Sequence, residues 1–219
     1  SHPEILRAVH TGLDELGLNV AASRKTTGNH PLYSELENSI ARFFGAEAAL
    51  LVSNGYVTNL AVAQALAGEF THALMDERAH GSLLDAARFL ECPVVPFAHR
   101  AADAAAKVAQ KLLRRGSARS KLLLITDGLF SHSGETAPLD EYLRHLPSNV
   151  TLLVDDAHGA GILGRRGRGT AEHLGIGPEP RLIQTITLSK AFGTYGGAIL
   201  GPAELRRKII KRSRLFVGN

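Results

Sequence analysis

The chain has 219 residues, of which 44% are hydrophobic and 21% charged, enough to bury the core of one large domain or of one domain and part of a second. Its formal net charge of +4 is a mild basic excess, and its single cysteine, Cys92, excludes an internal disulfide framework. No segment approaches about 18 consecutive apolar residues, and the first residues lack the basic-then-apolar pattern of a secretory signal. The sequence therefore predicts a soluble, cytoplasmic protein that has no membrane partner.

Short apolar runs alternate with helical periodicity along most of the chain. Residues 1–45 are predicted to be a helical segment that leads into a larger domain at residues 46–219. In that domain, apolar runs predict seven strands, at residues 47–53, 71–75, 93–97, 121–126, 151–155, 182–188 and 196–200. Helical patterns lie between them at residues 56–68, 81–91, 101–116 and 139–146.

This alternation of strands and helices predicts an α/β fold. The runs KLLLIT and TLLVD are apolar on both faces, which is typical of strands in a mostly parallel central sheet with helices on both faces. Ligands of such sheets bind at the carboxyl ends of the strands. The functional residues are therefore expected directly after the strands.

The last helical pattern contains the densest basic run, RRKIIKRSR at residues 206–214. A basic run can bind nucleic acid, but these charges surround Ile209 and Ile210 with amphipathic spacing, and no aromatic stacking platform accompanies them. The run is predicted to be the solvated face of a helix, and no nucleic-acid partner is expected. A positive field equally favours an anionic metabolite.

Several reactive side chains follow the predicted strands. The first strand runs into Ser53-Asn54-Gly55-Tyr56 at the start of a helix, where free backbone N–H groups and the helix dipole favour a phosphate. The other strand ends carry His80, Ser131, Asp155 with His158, and Thr187 with Ser189 and Lys190. Pyridoxal phosphate requires such a set: a lysine that forms a Schiff base, a carboxylate beside the pyridine nitrogen and a phosphate cradle.

Six motifs, in order, carry a resemblance to a known family. They are NHPLYSELENSIARFFG, SNGYVTN, DERAHGSLLDAAR, TDGLFS, VDDAHGAGILGRRGRGTAEHLG and TLSKAFGTYGGAILGP. Together they resemble the α-oxoamine synthases, fold-type-I pyridoxal phosphate enzymes that condense an amino acid with an acyl-CoA and release CO2. The resemblance implies that residues 46–219 are the cofactor-binding large domain and that the family's C-terminal small domain is absent. It also implies a homodimer.

The resemblance assigns roles to four candidate catalytic residues, all of which would also bind the cofactor. Lys190 would form the Schiff base, and Asp155 would face the pyridine nitrogen. His158 would bond the phenolic oxygen, and His80 would stack on the ring. These assignments rest on the positions of the residues inside the matched motifs.

Four further residues would bind the cofactor without a catalytic role. By the same resemblance, Ser131 would lie near the phenolic oxygen, and Thr187 would bind the phosphate with the backbone of Gly55 and Tyr56. The arginine that holds the substrate carboxylate in the family belongs to the part of the family pattern that follows this chain.

The sequence also departs from the family pattern. His132 and Ser133 stand where the family often has methionine and aspartate, so the turn after Ser131 is expected to be braced differently. The tripeptide His99-Arg100-Ala101 replaces a family His-Asn-Asp, and we interpret it as surface variation.

The substrates are less well defined than the cofactor. The motifs look most like the family branch that joins alanine to a pimeloyl thioester in biotin synthesis. The branch that joins glycine to acetyl-CoA is the near alternative, and other branches of the family are more distant alternatives. The expected partners are therefore alanine or glycine and an acyl-CoA. A pocket that distinguishes these amino acids by one methyl group gains only about 1–3 kcal/mol, so sequence alone leaves both open.

Two alternatives come from other classes of protein. GAGILG at residues 159–164 matches the G-x-G-x-x-G motif of nicotinamide-dependent oxidoreductases. That motif should open a helix and be followed about 20 residues later by an acidic residue, but RRGRGT follows and the region around Gln184 has no acid. A non-catalytic fragment or subunit that pairs with a complete chain is the second alternative. No metal site is expected, because neither H-E-x-x-H nor C-x-x-C occurs.

Overall fold

The computed structural model describes residues 2–18, 21–117 and 120–217. The helices are α1 (Pro3–Leu16), α2 (Pro31–Phe44), α3 (Gly55–Ala65), α4 (Gly81–Ala87), α5 (Ala102–Arg115), α6 (Leu139–His145), α7 (Thr170–His173), α8 (Ala203–Arg212) and α9 (Arg214–Val217). The strands are β1 (Ala48–Val52), β2 (His72–Asp76), β3 (Val94–Phe97), β4 (Leu122–Asp127), β5 (Val150–Asp155), β6 (Leu182–Thr187) and β7 (Gly197–Gly201). Within these ranges, no helix has the length and apolar character needed to cross a bilayer.

The seven strands form one sheet in the order β1-β7-β6-β5-β4-β2-β3. β7 runs antiparallel to both of its neighbours, and every other neighbouring pair is parallel. The predicted strands match the observed ones to within one residue at each end. The mostly parallel sheet predicted from the sequence is confirmed.

Helices cover both faces of this sheet, as predicted. Along β4, Leu123 and Ile125 enter a core shared with α3, α4 and α8, whereas Leu122 and Leu124 enter a core shared with α5 and α6. Successive strand residues point to opposite faces, so a continuous apolar run can serve two cores. Each fully buried leucine contributes about 1.5–3 kcal/mol relative to an exposed one.

The helix α2 packs on the same face as α5 and α6, over β1, β6 and β7. Its buried Glu37 accepts a hydrogen bond from the backbone N–H of Leu51 in β1 at 3.0 Å. The same carboxylate forms ion pairs with Arg24 at 2.7 Å and with Arg206 at 2.9 Å. Glu37 therefore ties α2 to the edge of the sheet that leads into α3.

The basic run at residues 206–214 lies mainly on α8. Ile209 is fully buried, while Lys208 and Arg212 form ion pairs with Glu69 at 2.7 and 2.8 Å. The predicted amphipathic helix is confirmed, and these two cations already have acidic partners within the chain.

Candidate active site

The predicted site residues lie at the carboxyl edge of the sheet. Asp155 is the last residue of β5, and Thr187 is the last residue of β6, which pairs with β5 in parallel. Lys190 follows three residues later in the connection to β7. This connection folds back on itself: the Leu188 N–H donates to the Gly196 carbonyl at 2.9 Å.

The glycines beside Lys190 permit this tight connection. Gly193 and Gly196 have backbone φ values of 64° and 128°, which residues other than glycine rarely adopt. At Gly197, an added Cβ would lie 2.5 Å from the carbonyl oxygen of Asn54, so the absence of a side chain lets β7 approach the turn between β1 and α3. The glycine run thus holds Lys190 at the sheet edge beside the start of α3.

The amine of Lys190 is in direct contact with an imidazole. Its Nζ lies 2.6 Å from Nε2 of His158. Partial burial lowers the pKa of Lys190 below its usual 10.5, although the nearby carboxylates Asp155 and Asp127 oppose this shift. Burial, with the charge of Lys190, also lowers the pKa of His158 below 6.5. At neutral pH, His158 is therefore mainly a neutral imidazole that can accept a hydrogen bond from the amine.

The buried carboxylate of Asp155 is fixed by three donors. Its Oδ2 accepts from Nδ2 of Asn59 at 2.6 Å and from the Ser82 hydroxyl at 3.3 Å, and its Oδ1 accepts from the Ala157 N–H at 3.1 Å. The Asn59 amide is oriented in turn by the Thr185 hydroxyl, which donates to its Oδ1 at 2.7 Å. This arrangement holds the Asp155 carboxylate in one orientation.

Sequence reasoning missed Asn59 and Ser82. They lie inside α3 and α4 rather than at strand ends, and they are 96 and 73 residues from Asp155 along the chain. The available signal was that each is a polar residue within the first turn or two of a helix that starts at this edge of the sheet. Side chains at such positions lie near the strand ends when they are on the side of the helix that faces the sheet.

The phosphate seat is predicted at the start of α3. Asn54 caps this helix by accepting the Val57 N–H at 3.0 Å. Gly55 packs so closely on β6 that an added Cβ would lie 2.7 Å from Cβ of Thr187. The Thr187 hydroxyl, 2.7 Å from that of Ser189, therefore lies beside the free N–H groups of a helix N-terminus, which favour an anion.

Replacing Gly55 by alanine is expected to lower the free energy of unfolding by about 1–3 kcal/mol, because the added methyl group overpacks against Thr187. Gly81→Ala is the matched control, since Gly81 is likewise the first residue of a helix but an added Cβ has no neighbour within 4 Å. Urea denaturation should show a loss for Gly55→Ala and none for Gly81→Ala. Equal stabilities of the two variants would contradict the close packing of α3 on β6.

The remaining predicted residues, His80, Tyr56 and Ser131, differ in whether their side chains contact the residues around Asp155 and Lys190. His80 caps α4, and its Nδ1 lies 2.8 Å from the Ser82 hydroxyl. Tyr56 is exposed, and its hydroxyl donates to Asp85 on α4. Ser131 is exposed in the turn after β4, and no hydrogen bond within the described ranges joins its side chain to the other candidates.

The interpretation of His99-Arg100-Ala101 as surface variation is wrong. The side chain of His99 is only 11% exposed, and its Nδ1 lies 2.9 Å from Oδ1 of Asp76. The Arg100 N–H donates to Oδ2 of the same carboxylate at 2.9 Å. Asp76 ends β2 at 1% exposure, and its buried carboxylate requires such donors. Nε2 of His99 also lies 3.4 Å from Oε2 of Glu135, and Arg100 forms an ion pair with the same carboxylate, which braces the turn after Ser131.

The glycine-rich segment after His158 has a structural role. It forms turns rather than opening a helix, and α7 begins only at Thr170. Asp156, fully buried beneath it, accepts from the hydroxyl and the N–H of Thr170 at 2.7 and 2.8 Å. Side chains at Gly159 or Gly169 would collide with the Asp156 carboxylate. The motif therefore lacks the strand–turn–helix context that a dinucleotide requires.

A second buried carboxylate, Asp127, lies beside Asp155. Burial raises the pKa of Asp127 from 3.8 to about 7; the His80 N–H opposes this shift, and the carboxylates of Asp155 and Asp76 add to it. Between pH 3.8 and about 7, the folded chain therefore holds a proton that the unfolded chain has lost. The free energy of unfolding should fall as the pH rises through this range, by at most about 4 kcal/mol.

Asp127→Asn should remove this contribution, because an amide does not titrate. The free energy of unfolding without cofactor, measured from pH 5 to 8, should then fall less than in the unmodified chain. Asp14→Asn, at an exposed position on α1, is the control and should leave the pH dependence unchanged. Identical pH profiles for Asp127→Asn and the unmodified chain would show that Asp127 does not titrate in this range.

The fold and this edge define a class of protein. A mostly parallel sheet with one antiparallel strand, helices on both faces, and a lysine and a buried aspartate at its carboxyl edge is the large-domain architecture of the fold-type-I transferases. The chain belongs to the aminotransferase class I and II family, whose model matches residues 2–218.

Individual relatives agree with this assignment and with the α-oxoamine synthase resemblance of the motifs. The 8-amino-7-oxononanoate synthase of Mycolicibacterium gilvum is 38% identical over 99% of this chain. Among solved structures, Sphingomonas wittichii serine palmitoyltransferase is 29% identical with a TM-score of 0.87 over 100% of this chain and 54% of that chain. A serine palmitoyltransferase variant from S. paucimobilis with a bound PLP–myriocin aldimine is 26% identical with a TM-score of 0.86, over 99% of this chain and 54% of that one. The chain spans 56% of the M. gilvum relative.

Proposed function

We propose that the chain binds pyridoxal phosphate at the carboxyl edge of its sheet, with Lys190 as the residue that bonds the cofactor covalently. The observation that carries this proposal is the meeting of a partly desolvated amine, Lys190, with the fixed carboxylate of Asp155 at one edge. At the start of α3, Gly55 has no side chain, which favours the binding of a phosphate beside these two residues. In this proposal, residues from 46 onward form the cofactor-binding unit, and residues 1–45 lead into it.

Each side chain of the cluster has a task in this proposal. Asp155 holds a positive charge on the pyridine nitrogen, and His80 stacks on the ring. Thr187, with the N–H groups of Gly55 and Tyr56, holds the phosphate, and Ser131 lies toward the phenolic oxygen. When bound, the cofactor supplies an electron sink that stabilises negative charge on the Cα of an amino acid.

Lys190 is the residue proposed to move the proton. Its lowered pKa makes the neutral amine more accessible near neutral pH, and a neutral amine can accept the Cα proton of a substrate. His158, 2.6 Å from Nζ, orients this amine through a hydrogen bond. In this proposal, the same imidazole also bonds the phenolic oxygen of the cofactor.

We further propose that the whole protein is an acyltransferase that joins a small amino acid to an acyl-CoA with loss of CO2. The names of the 8-amino-7-oxononanoate synthase and serine palmitoyltransferase relatives support this class of reaction. Alanine with a pimeloyl thioester is the favoured pair, and glycine with acetyl-CoA is the alternative.

A cytoplasmic homodimer is part of the same proposal. Helix α1 buries none of its side chains, and Leu6, Val9 and Leu13 on it are 50%, 49% and 42% exposed. Their spacing of three and four residues forms an apolar stripe on one face of the helix. Such uncovered apolar stripes are typical of interfaces, and a second copy of the chain would cover this one.

The test is a substrate panel on the whole protein loaded with cofactor. Alanine or glycine is combined with pimeloyl-CoA or acetyl-CoA, and the released thiol and CO2 are measured together. Equal amounts of the two products, greatest with alanine and pimeloyl-CoA, are expected, and reactions without amino acid are the control. Cofactor binding without thiol release from any pair would contradict the acyltransferase and favour a non-catalytic role.

A further inference from the structure

The roles proposed above leave one buried carboxylate of the site without a task. Asp127 ends β4 and is 5% exposed. It is aligned with Asp155 in the pairing of β4 and β5. Ile125 and Leu153, two residues earlier in each strand, enter the core beneath α3 and α4, so both carboxylates project from that same face.

The hydrogen bond of Asp127 leads to the residue expected to stack on the cofactor. Its Oδ2 accepts the backbone N–H of His80 at 2.8 Å. His80 is the N-cap of α4, and its own N–H has no carbonyl partner within that helix. Asp127 therefore fixes the point at which the chain enters α4, from a strand 47 residues away along the sequence.

The imidazole of His80 is held separately, through Ser82. Its Nδ1 accepts the Ser82 N–H at 3.2 Å and lies 2.8 Å from the Ser82 hydroxyl. That hydroxyl donates to Asp155 at 3.3 Å. A hydrogen-bonded circuit thus joins the ends of β4 and β5 through His80 and Ser82. In it, Asp127 at the end of β4 fixes the backbone of His80, and Asp155 at the end of β5 fixes the His80 ring through Ser82.

We propose that Asp127 is a positioning residue, which holds the backbone of His80 so that its imidazole lies over the ring of the cofactor. This inference rests on the proposed function, since it needs a planar ring beneath His80. When ionised, the Asp127 carboxylate suits this task, because a charged acceptor bonds an N–H more strongly than a neutral one. Asp127 itself would not touch the cofactor in this role.

A double-mutant cycle separates positioning from a direct effect. Asp127→Ala, His80→Ala and the double variant are titrated with pyridoxal phosphate, and dissociation constants are read from the visible absorbance. Asp127→Ala is expected to weaken binding by about 10-fold. In the His80→Ala background the same change should have no effect, because no imidazole remains to be positioned. An equal loss in both backgrounds, or no loss in either, would overturn the proposal.

Asp127→Asn provides rescue and a readout without cofactor. Its amide oxygen can still accept the His80 N–H, so cofactor affinity should recover most of the loss seen for Asp127→Ala, and Asp14→Asn is the matched control. In NMR spectra of the free protein at pH 8.5, where the Asp127 carboxylate is ionised, the His80 amide proton should shift upfield in Asp127→Asn, because the acceptor is then neutral. An unmoved His80 resonance would overturn the proposal even if Asp127→Ala does not fold. If the unmodified chain forms no visible band with the cofactor, the proposed function fails instead.

Discussion

Replacing Lys190 by alanine is expected to abolish the visible absorbance band that the chain develops with pyridoxal phosphate, because this band requires an amine that condenses with the cofactor's aldehyde. In the whole protein, turnover should fall by at least about 100-fold, the usual minimum for removal of a general base. Its contact with His158 and its lowered pKa support the proposal that Lys190 performs both tasks. Absorbance titration of the purified variant measures the first effect, and thiol release measures the second.

The control must account for the other lysines, since any neutral amine can react with an aldehyde. Lys211→Ala removes an exposed lysine on α8 and should keep the band. Borohydride reduction, followed by peptide mass spectrometry, should place the cofactor mass on the peptide that contains Lys190. A full band in Lys190→Ala, or a label spread over several lysine peptides, would defeat the assignment.

Replacing Asp155 by asparagine should weaken cofactor binding by at least about 100-fold, because a buried positive ring nitrogen would lose its charged partner. The change keeps the size of the side chain, and Asn59 and Ser82 still surround it. Loss of the Cα proton from alanine should also slow, since the electron sink depends on a protonated ring. Absorbance titration gives the affinity, and NMR of the α-proton exchange in D2O gives the rate.

Asp103→Asn is the control for this substitution. Asp103 lies exposed on α5, on the opposite face of the sheet from α3 and α4. Its replacement should therefore leave the cofactor affinity and the exchange rate unchanged. If Asp155→Asn binds and exchanges like the unmodified protein, the carboxylate does not face the ring nitrogen. The proposal that the hydrogen-bonded circuit through Ser82 positions the His80 ring over the cofactor would then fail as well.

Much of the fold could be predicted because the apolar runs of this chain are short and sharply bounded. The run KLLLIT is followed by Asp127 and Gly128, and TLLVD by Asp156 and a turn, so both strand ends were visible in the sequence. The same reasoning predicted Lys190, Asp155 and Thr187 at one edge, because parallel strands present their carboxyl ends together.

The parts of the site that escaped prediction depend on contacts between distant segments. Asn59 and Ser82 are ordinary polar residues of helical segments until α3 and α4 are placed over β5. Asp127 followed a predicted strand, but its importance depends on a backbone N–H from another loop. His99 was misjudged for the same reason, because its partner Asp76 lies 23 residues earlier.

A crystal structure of the chain with pyridoxal phosphate tests the central claim most directly. The account predicts continuous density from Nζ of Lys190 to the ring, and a ring nitrogen within about 3 Å of the Asp155 carboxylate. A ring bound elsewhere, or bound at Lys190 with its nitrogen turned away from Asp155, would contradict it.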